Sequence, residues 1–105
     1  MKYVLITHEV DVYPKWKKGF DEAASLRKSA GEIEFQVLRQ GKQPNTIVHF
    51  SRWISLGSAR AFFESEITAT IRADLGVKKP EFVYLEHLES GVLQGAAEGD
   101  PRELD

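Results

Sequence analysis

The chain has 105 residues, 42% hydrophobic and 29% charged, with no cysteine and a net charge of −2. That length suits a single domain with core enough to fold without staples. The missing cysteines exclude disulfides, thiolate nucleophiles and thiolate metal sites, and no concentrated basic face is present to hold a nucleic acid.

Met1–His8 carries a short apolar run without a small-residue cleavage site, so it reads as a first strand and not as a signal peptide. No stretch approaches the roughly 18 apolar residues of a membrane span, and the expectation is a cytoplasmic protein with no membrane partner. Asp11 is a candidate N-cap and Pro14 fits a first helical turn. Trp16, Phe20 and Ala23–Ala24 recur at helical spacing up to Gly31, which predicts a first helix over about Tyr13–Ala30. Ile33, Phe35 and Val37 alternate with more polar residues as one apolar strand face, and the turn Gly41–Asn45 leads into a strand over Thr46–Trp53. A second helix starts near Ser55–Ser58, with Ala59, Phe63, Ile67, Ile71 and Leu75 as its apolar stripe and Gly76 as its end. Phe82–Leu88 is the last strand. Residues 94–105 carry a net charge of −3 and little apolar bulk, and read as a disordered acidic tail behind a domain over 1–93.

The order βαββαβ predicts a ferredoxin-like α+β fold: a four-stranded antiparallel sheet ordered 4-1-3-2, with both helices on one face. The first strand is apolar on both faces, Tyr3 and Leu5 against Val4 and Ile6, and the third sets Ile47 against Val48 and Phe50. A sheet face apolar on the side away from the helices needs a cover. The simplest is a second copy, which makes the expected partner the chain itself, as a homodimer closing a dimeric α/β barrel.

Candidate chemistry centres on His49 and Trp53. Four residues apart on one strand, they share a face. Trp53 offers an aromatic wall and His49 a proton acceptor near neutral pH. In the plainer alternative Trp53 closes the core and His49 is a satisfied buried polar group. Whether the pair faces the helices or a partner sheet is open, because both faces are apolar. Phe82, Tyr84 and Glu86 share a face of the last strand, and Glu86 is either a buried acid or a rim residue paired with a lysine or Arg39. His8 reads as an exposed strand end near Thr46–Val48. The three histidines lack metal-ligand spacing, so no metal site is expected. There is no nucleophile elbow, phosphate loop or dinucleotide fingerprint.

Phe50-Ser51-Arg52-Trp53, the following Ala59-Arg60-Ala61-Phe62-Phe63-Glu64-Ser65-Glu66 and the closing Pro80-Glu81-Phe82-Val83-Tyr84-Leu85-Glu86 resemble the antibiotic-biosynthesis-monooxygenase-like proteins of the dimeric α/β-barrel superfamily. The resemblance spans roughly residues 2–93. It implies a small monooxygenase-like protein acting on or binding an aromatic or polycyclic molecule without metal, flavin or other cofactor. His49 and Trp53 are its implied catalytic residues, with Phe63, Tyr84 and Glu86 lining the substrate site. In the family's cofactor-independent enzymes an Asn stands four residues before the Trp; here that position is His49. The haem-degrading branch uses a His in the second helix, and no His lies in 50–86 here. The alternative function is a non-catalytic ligand-binding or stress-associated dimer.

Overall fold

The computed structural model describes residues 1–94. Its elements run β1 (Lys2–Val10), α1 (Tyr13–Glu22), α2 (Ala24–Ala30), β2 (Glu32–Gln40), β3 (Gln43–Trp53), α3 (Leu56–Phe63), α4 (Glu66–Asp74) and β4 (Val77–Glu86). The sheet has the order β2-β3-β1-β4 and every pairing is antiparallel. This is the ferredoxin-like α+β fold expected from the element order, with the expected strand arrangement. No helix among the described residues is long and apolar enough to cross a membrane.

The helices cover one sheet face. Val4, Ile6 and Trp53 pack against Ala59 and Phe63 of α3, while Val10 and Ile47 pack against Trp16 and Phe20 of α1. Along β1 the residues Val4, Ile6, His8 and Val10 are all buried, as period-two alternation requires of a strand under helices. The opposite face carries Tyr3, Leu5, Val48, Phe50 and Leu85 in partial contact with solvent. Leu38 and Val83 on that face are 48% and 46% exposed. Tyr3 stacks on Phe50 there, with ring centroids 5.2 Å apart.

Both expected helices are broken in two. The first turns at Ala23, and its N-cap position is Val12, without a side-chain cap. Asp11, the expected cap, instead pairs with Lys78 Nζ at 2.7 Å. The second breaks at Glu64–Ser65, because the Ser65 hydroxyl accepts from the Thr68 backbone N–H at 3.2 Å and starts a new helix. The new start shifts the helical phase. Thr68 turns inward, and Ile67, expected in the apolar stripe, is 68% exposed. Gly31 and Gly76 do end their helical segments, with φ of 123° and 73°. β4 starts and stops earlier than the expected Phe82–Leu88. Of the expected acidic tail, residues 95–105 lie outside the described residues.

The expected apolar face of β2 is also altered. Glu32 pairs with Trp53 and Glu34 with Arg52, so the register slips at Ile33. This bulge places two residues where the partner strand has one and reverses the alternation before it. Glu32, not Ile33, therefore shares the helix-covered face with Phe35 and Val37, and Ile33 is pushed outward.

Candidate functional site

The inward turn of Glu32 assembles a buried polar chain. Glu32 Oε2 lies 2.8 Å from His49 Nε2, and Glu32 Oε1 accepts from Arg27 Nε at 2.7 Å. A guanidinium nitrogen of Arg27 also donates to the Phe20 carbonyl, and the Phe20 ring sits 3.7 Å below its central carbon. The side chains of all three charged or titratable members are at most 5% exposed. Burial works to raise the Glu32 pKa, but the hydrogen bonds and charges of His49 and Arg27 outweigh it, and the carboxyl titrates below its ordinary value. An ionised carboxylate only accepts. His49 Nε2 therefore donates to it, and in the neutral form of the ring the lone pair then sits on Nδ1.

His49 stands on the helix-covered face, where it lines a cavity of about 70 Å³ with Trp16, Phe20, Phe63, Ile71 and Phe82. The Phe20 and Phe63 rings meet the imidazole edge-on, at centroid distances of 4.9 and 6.3 Å. Gly19 and Ala23, which carry little or no side chain, keep the α1 wall thin. At Gly19 an added Cβ would fall 2.4 Å from a terminal carbon of Leu75, so α1 and α4 approach there as closely as glycine allows.

His8 lines the same cavity. Expected as an exposed strand end, it is 5% exposed, because it falls in phase with Val4, Ile6 and Val10 and lies under α1. Its neighbour across β3 is Ile47, within the expected Thr46–Val48. Its ring packs against Trp16 at 5.1 Å. Neither ring nitrogen has a hydrogen-bond partner. Burial, with repulsion from His49 and Arg72, lowers its pKa from 6.5 to about 4. Near neutral pH it is an uncharged imidazole.

Of the residues expected at the site, His49 and Phe63 come together at the cavity. Trp53 does not line it. Its indole N–H donates to Ser51 Oγ at 2.7 Å, and its ring packs behind Phe63 at 5.2 Å. It shares the face of His49 but lies one layer deeper, and the aromatic wall is formed by Phe63, Phe20 and Trp16. Tyr84 lies outside the cavity, under the guanidinium of Arg60 at 4.1 Å. Glu86 is a surface residue paired with Lys2 at 2.8 Å, which is the rim alternative. Among the described residues no three His, Cys, Asp or Glu side chains cluster as metal ligands.

Sequence reasoning missed Arg27, Glu32, His8, Trp16 and Arg72. For His8 the signal was present, since it continues the alternation of Val4 and Ile6. For Glu32 there was none, because a bulge is created by pairing with a distant strand.

No protein-family model matches the sequence, and no curated protein sequence matches it. Solved structures do match in fold. SnoaB, a cofactor-independent oxygenase from Streptomyces nogalater, superposes with a TM-score of 0.69 at 13% identity, covering 85% of this chain and 94% of that one. A proposed antibiotic biosynthesis monooxygenase from Bordetella bronchiseptica has a TM-score of 0.69 at 14% identity, over 84% and 97% of the two chains. MhuD, as an Arg-to-Ser mutant with two manganese protoporphyrin IX molecules bound per active site, has a TM-score of 0.64 at 22% identity, over 88% and 100%.

Proposed function

We propose, from the fold this chain shares with the antibiotic biosynthesis monooxygenases, that it is a small monooxygenase-like protein acting on an aromatic molecule without metal or flavin. The observation that carries the reading is the Arg27–Glu32–His49 chain, which ends on an aromatic-walled cavity. Arg27 holds Glu32, and Glu32 holds the ring of His49 with its Nδ1 lone pair free. That is the arrangement of an oriented general base. His49 takes a proton from an acidic phenol or an activated ring CH₂, and Glu32 balances the charge that appears on the imidazole. The resulting carbanion adds to dioxygen, and the peroxide anion takes the proton back from the His49 imidazolium to give a hydroperoxide. Loss of water from the peroxide leaves a new carbonyl. Phe63 and Phe20 flank the ring under attack, and Trp53 acts through Phe63 as a positioning residue. Tyr84 and Glu86 lie outside the cavity of one chain, and no step requires them.

At about 70 Å³ the cavity holds part of a ring and not a polycycle. A larger substrate must extend through the mouth or move Phe62. The test is oxygen uptake with anthrone- and naphthol-type probes. His49→Gln keeps an amide N–H for Glu32, and the expected result is loss of turnover by roughly 100-fold or more with melting little changed. An unchanged rate overturns the role of His49.

The exposed apolar side of the sheet supports a homodimer with two sheets face to face. Phe50→Glu places a charge at its centre, and sedimentation should then show monomers. The same buried chain also ties α2, β2 and β3 together, which supports the second reading, a non-catalytic ligand-binding dimer. That protein would bind aromatic molecules and consume no oxygen at any pH.

A further inference from the structure

The polar groups around the cavity divide into two sets. Arg27, Glu32 and His49 satisfy one another. His8 and Arg72 do not: both nitrogens of His8 and Nη1 of Arg72 are buried without a hydrogen-bond partner. Both residues line the cavity, His8 from β1 and Arg72 from α4. A buried donor or acceptor left unpaired is costly, and a charged one more so. Among the described residues no carboxylate lies within salt-bridge distance of Arg72. Its guanidinium rests instead 4.9 Å above the Phe82 ring. Burial lowers the Arg72 pKa, as expected for a cation drawn from water without a counter-ion, yet a guanidinium stays charged. Since Arg27 and Glu32 cancel, the chamber carries one uncompensated positive charge when the His49 ring is neutral.

We propose that His8 and Arg72 form the head of a binding site for an aromatic monocarboxylate, one carboxylate oxygen accepting from Arg72 Nη1 and the other from the imidazole N–H of His8. Two oxygens match two donors that lack partners, and one negative charge matches one free cation. The volume has room for a carboxylate and the ring atoms next to it, and Trp16, Phe20, Phe62 and Phe82 supply flat apolar walls for a ring. A phosphate or dicarboxylate would bring a second negative charge into a chamber with one unpaired cation. An aliphatic acid would leave the aromatic walls unused. The inference rests on reading this cavity as the ligand site, but not on any oxygen chemistry.

The test is binding of benzoate, with benzyl alcohol and inorganic phosphate as controls, followed by calorimetry and by the His8 ring resonances in NMR of the full chain. Benzoate should bind saturably and shift the His8 signals, while benzyl alcohol binds at least roughly 10-fold more weakly, as expected for loss of a charge-assisted pair. Arg72→Gln should weaken benzoate by roughly 10-fold or more and leave benzyl alcohol unaffected. His8→Phe should weaken benzoate, and His8→Asn, which restores an N–H donor, should recover part of the loss. Equal binding of benzoate and benzyl alcohol, preference for phosphate, or no shift at His8 would overturn the proposal; the NMR arm uses the unaltered chain and does not depend on a variant folding. Binding of benzoate in a protein that consumes no oxygen would sink the oxygenase reading and leave this site standing.

Discussion

The two tryptophans of this chain are almost equally buried, Trp53 at 1% and Trp16 at 3% exposure, yet they occupy different kinds of ground. Trp53 has its N–H satisfied by Ser51 and packs against two adjoining rings, Phe62 at 5.6 Å and Phe63 at 5.2 Å. Trp16 stacks on Phe20 at 4.9 Å, meets the tilted ring of His8 at 5.1 Å, and borders the cavity. Burial alone does not separate a packing residue from a site residue; what lies beside the ring does. One end of the sheet is a closed core, and the middle is an unfinished one, where polar atoms have been left without partners.

The largest expected effects break the closed parts. Trp53→Ala should cost about 3–5 kcal/mol in urea unfolding, the usual range for removing a buried aromatic. Trp16→Phe keeps an aromatic and should cost far less, while changing ligand affinity. Glu32→Ala should cost a similar 3–5 kcal/mol, because it strands the buried Arg27 charge; its effect on melting should match that of Trp53→Ala.

The pH dependence of stability sharpens the comparison at an intermediate scale. His8 has a folded pKa of about 4, below its ordinary 6.5, so the unfolded chain binds its proton first. Stability from this group is full above the unfolded pKa and is lost as pH falls to the folded one, about 3 kcal/mol in all. Denaturation midpoints measured across that window should fall, and His8→Phe should flatten the curve. Glu32 also has a depressed pKa; its contribution is present above the ordinary carboxylate range and disappears as pH drops through its folded value. The acid limb should therefore show a second loss below that of His8, absent in Glu32→Ala.

The smallest stability effect is expected at Gly19. Alanine there gains helix propensity of about 1 kcal/mol but must push the flexible end of Leu75 aside. The two should nearly cancel in stability. Ligand binding should still weaken, since Gly19 and Leu75 both line the cavity; unaltered benzoate affinity would detach α1 from the site.

Element order, strand order and the pairing of His49 with a face of β3 were legible in the amino-acid pattern because they depend on local periodicity and on the few ways βαββαβ can connect. The helix breaks were less so. Ser65 could be read as a cap only once the apolar stripe had been abandoned at Ile67. Trp53 drew attention for its size and its place before a helix, but its depth depends on Phe62 and Phe63 closing over it.

The sequence by itself determined the scaffold, its antiparallel sheet and a second apolar sheet face that the helices leave uncovered, since these follow from alternation and element length. The tertiary structure alone decided the site. A slip of one residue at Ile33, set by pairing with β3, turned Glu32 inward to His49 and Arg27. The packing of α1 and α4 over β1 buried His8 and Nη1 of the half-buried Arg72 without partners. Each of these depends on contact between segments far apart in the chain, where local periodicity carries no information.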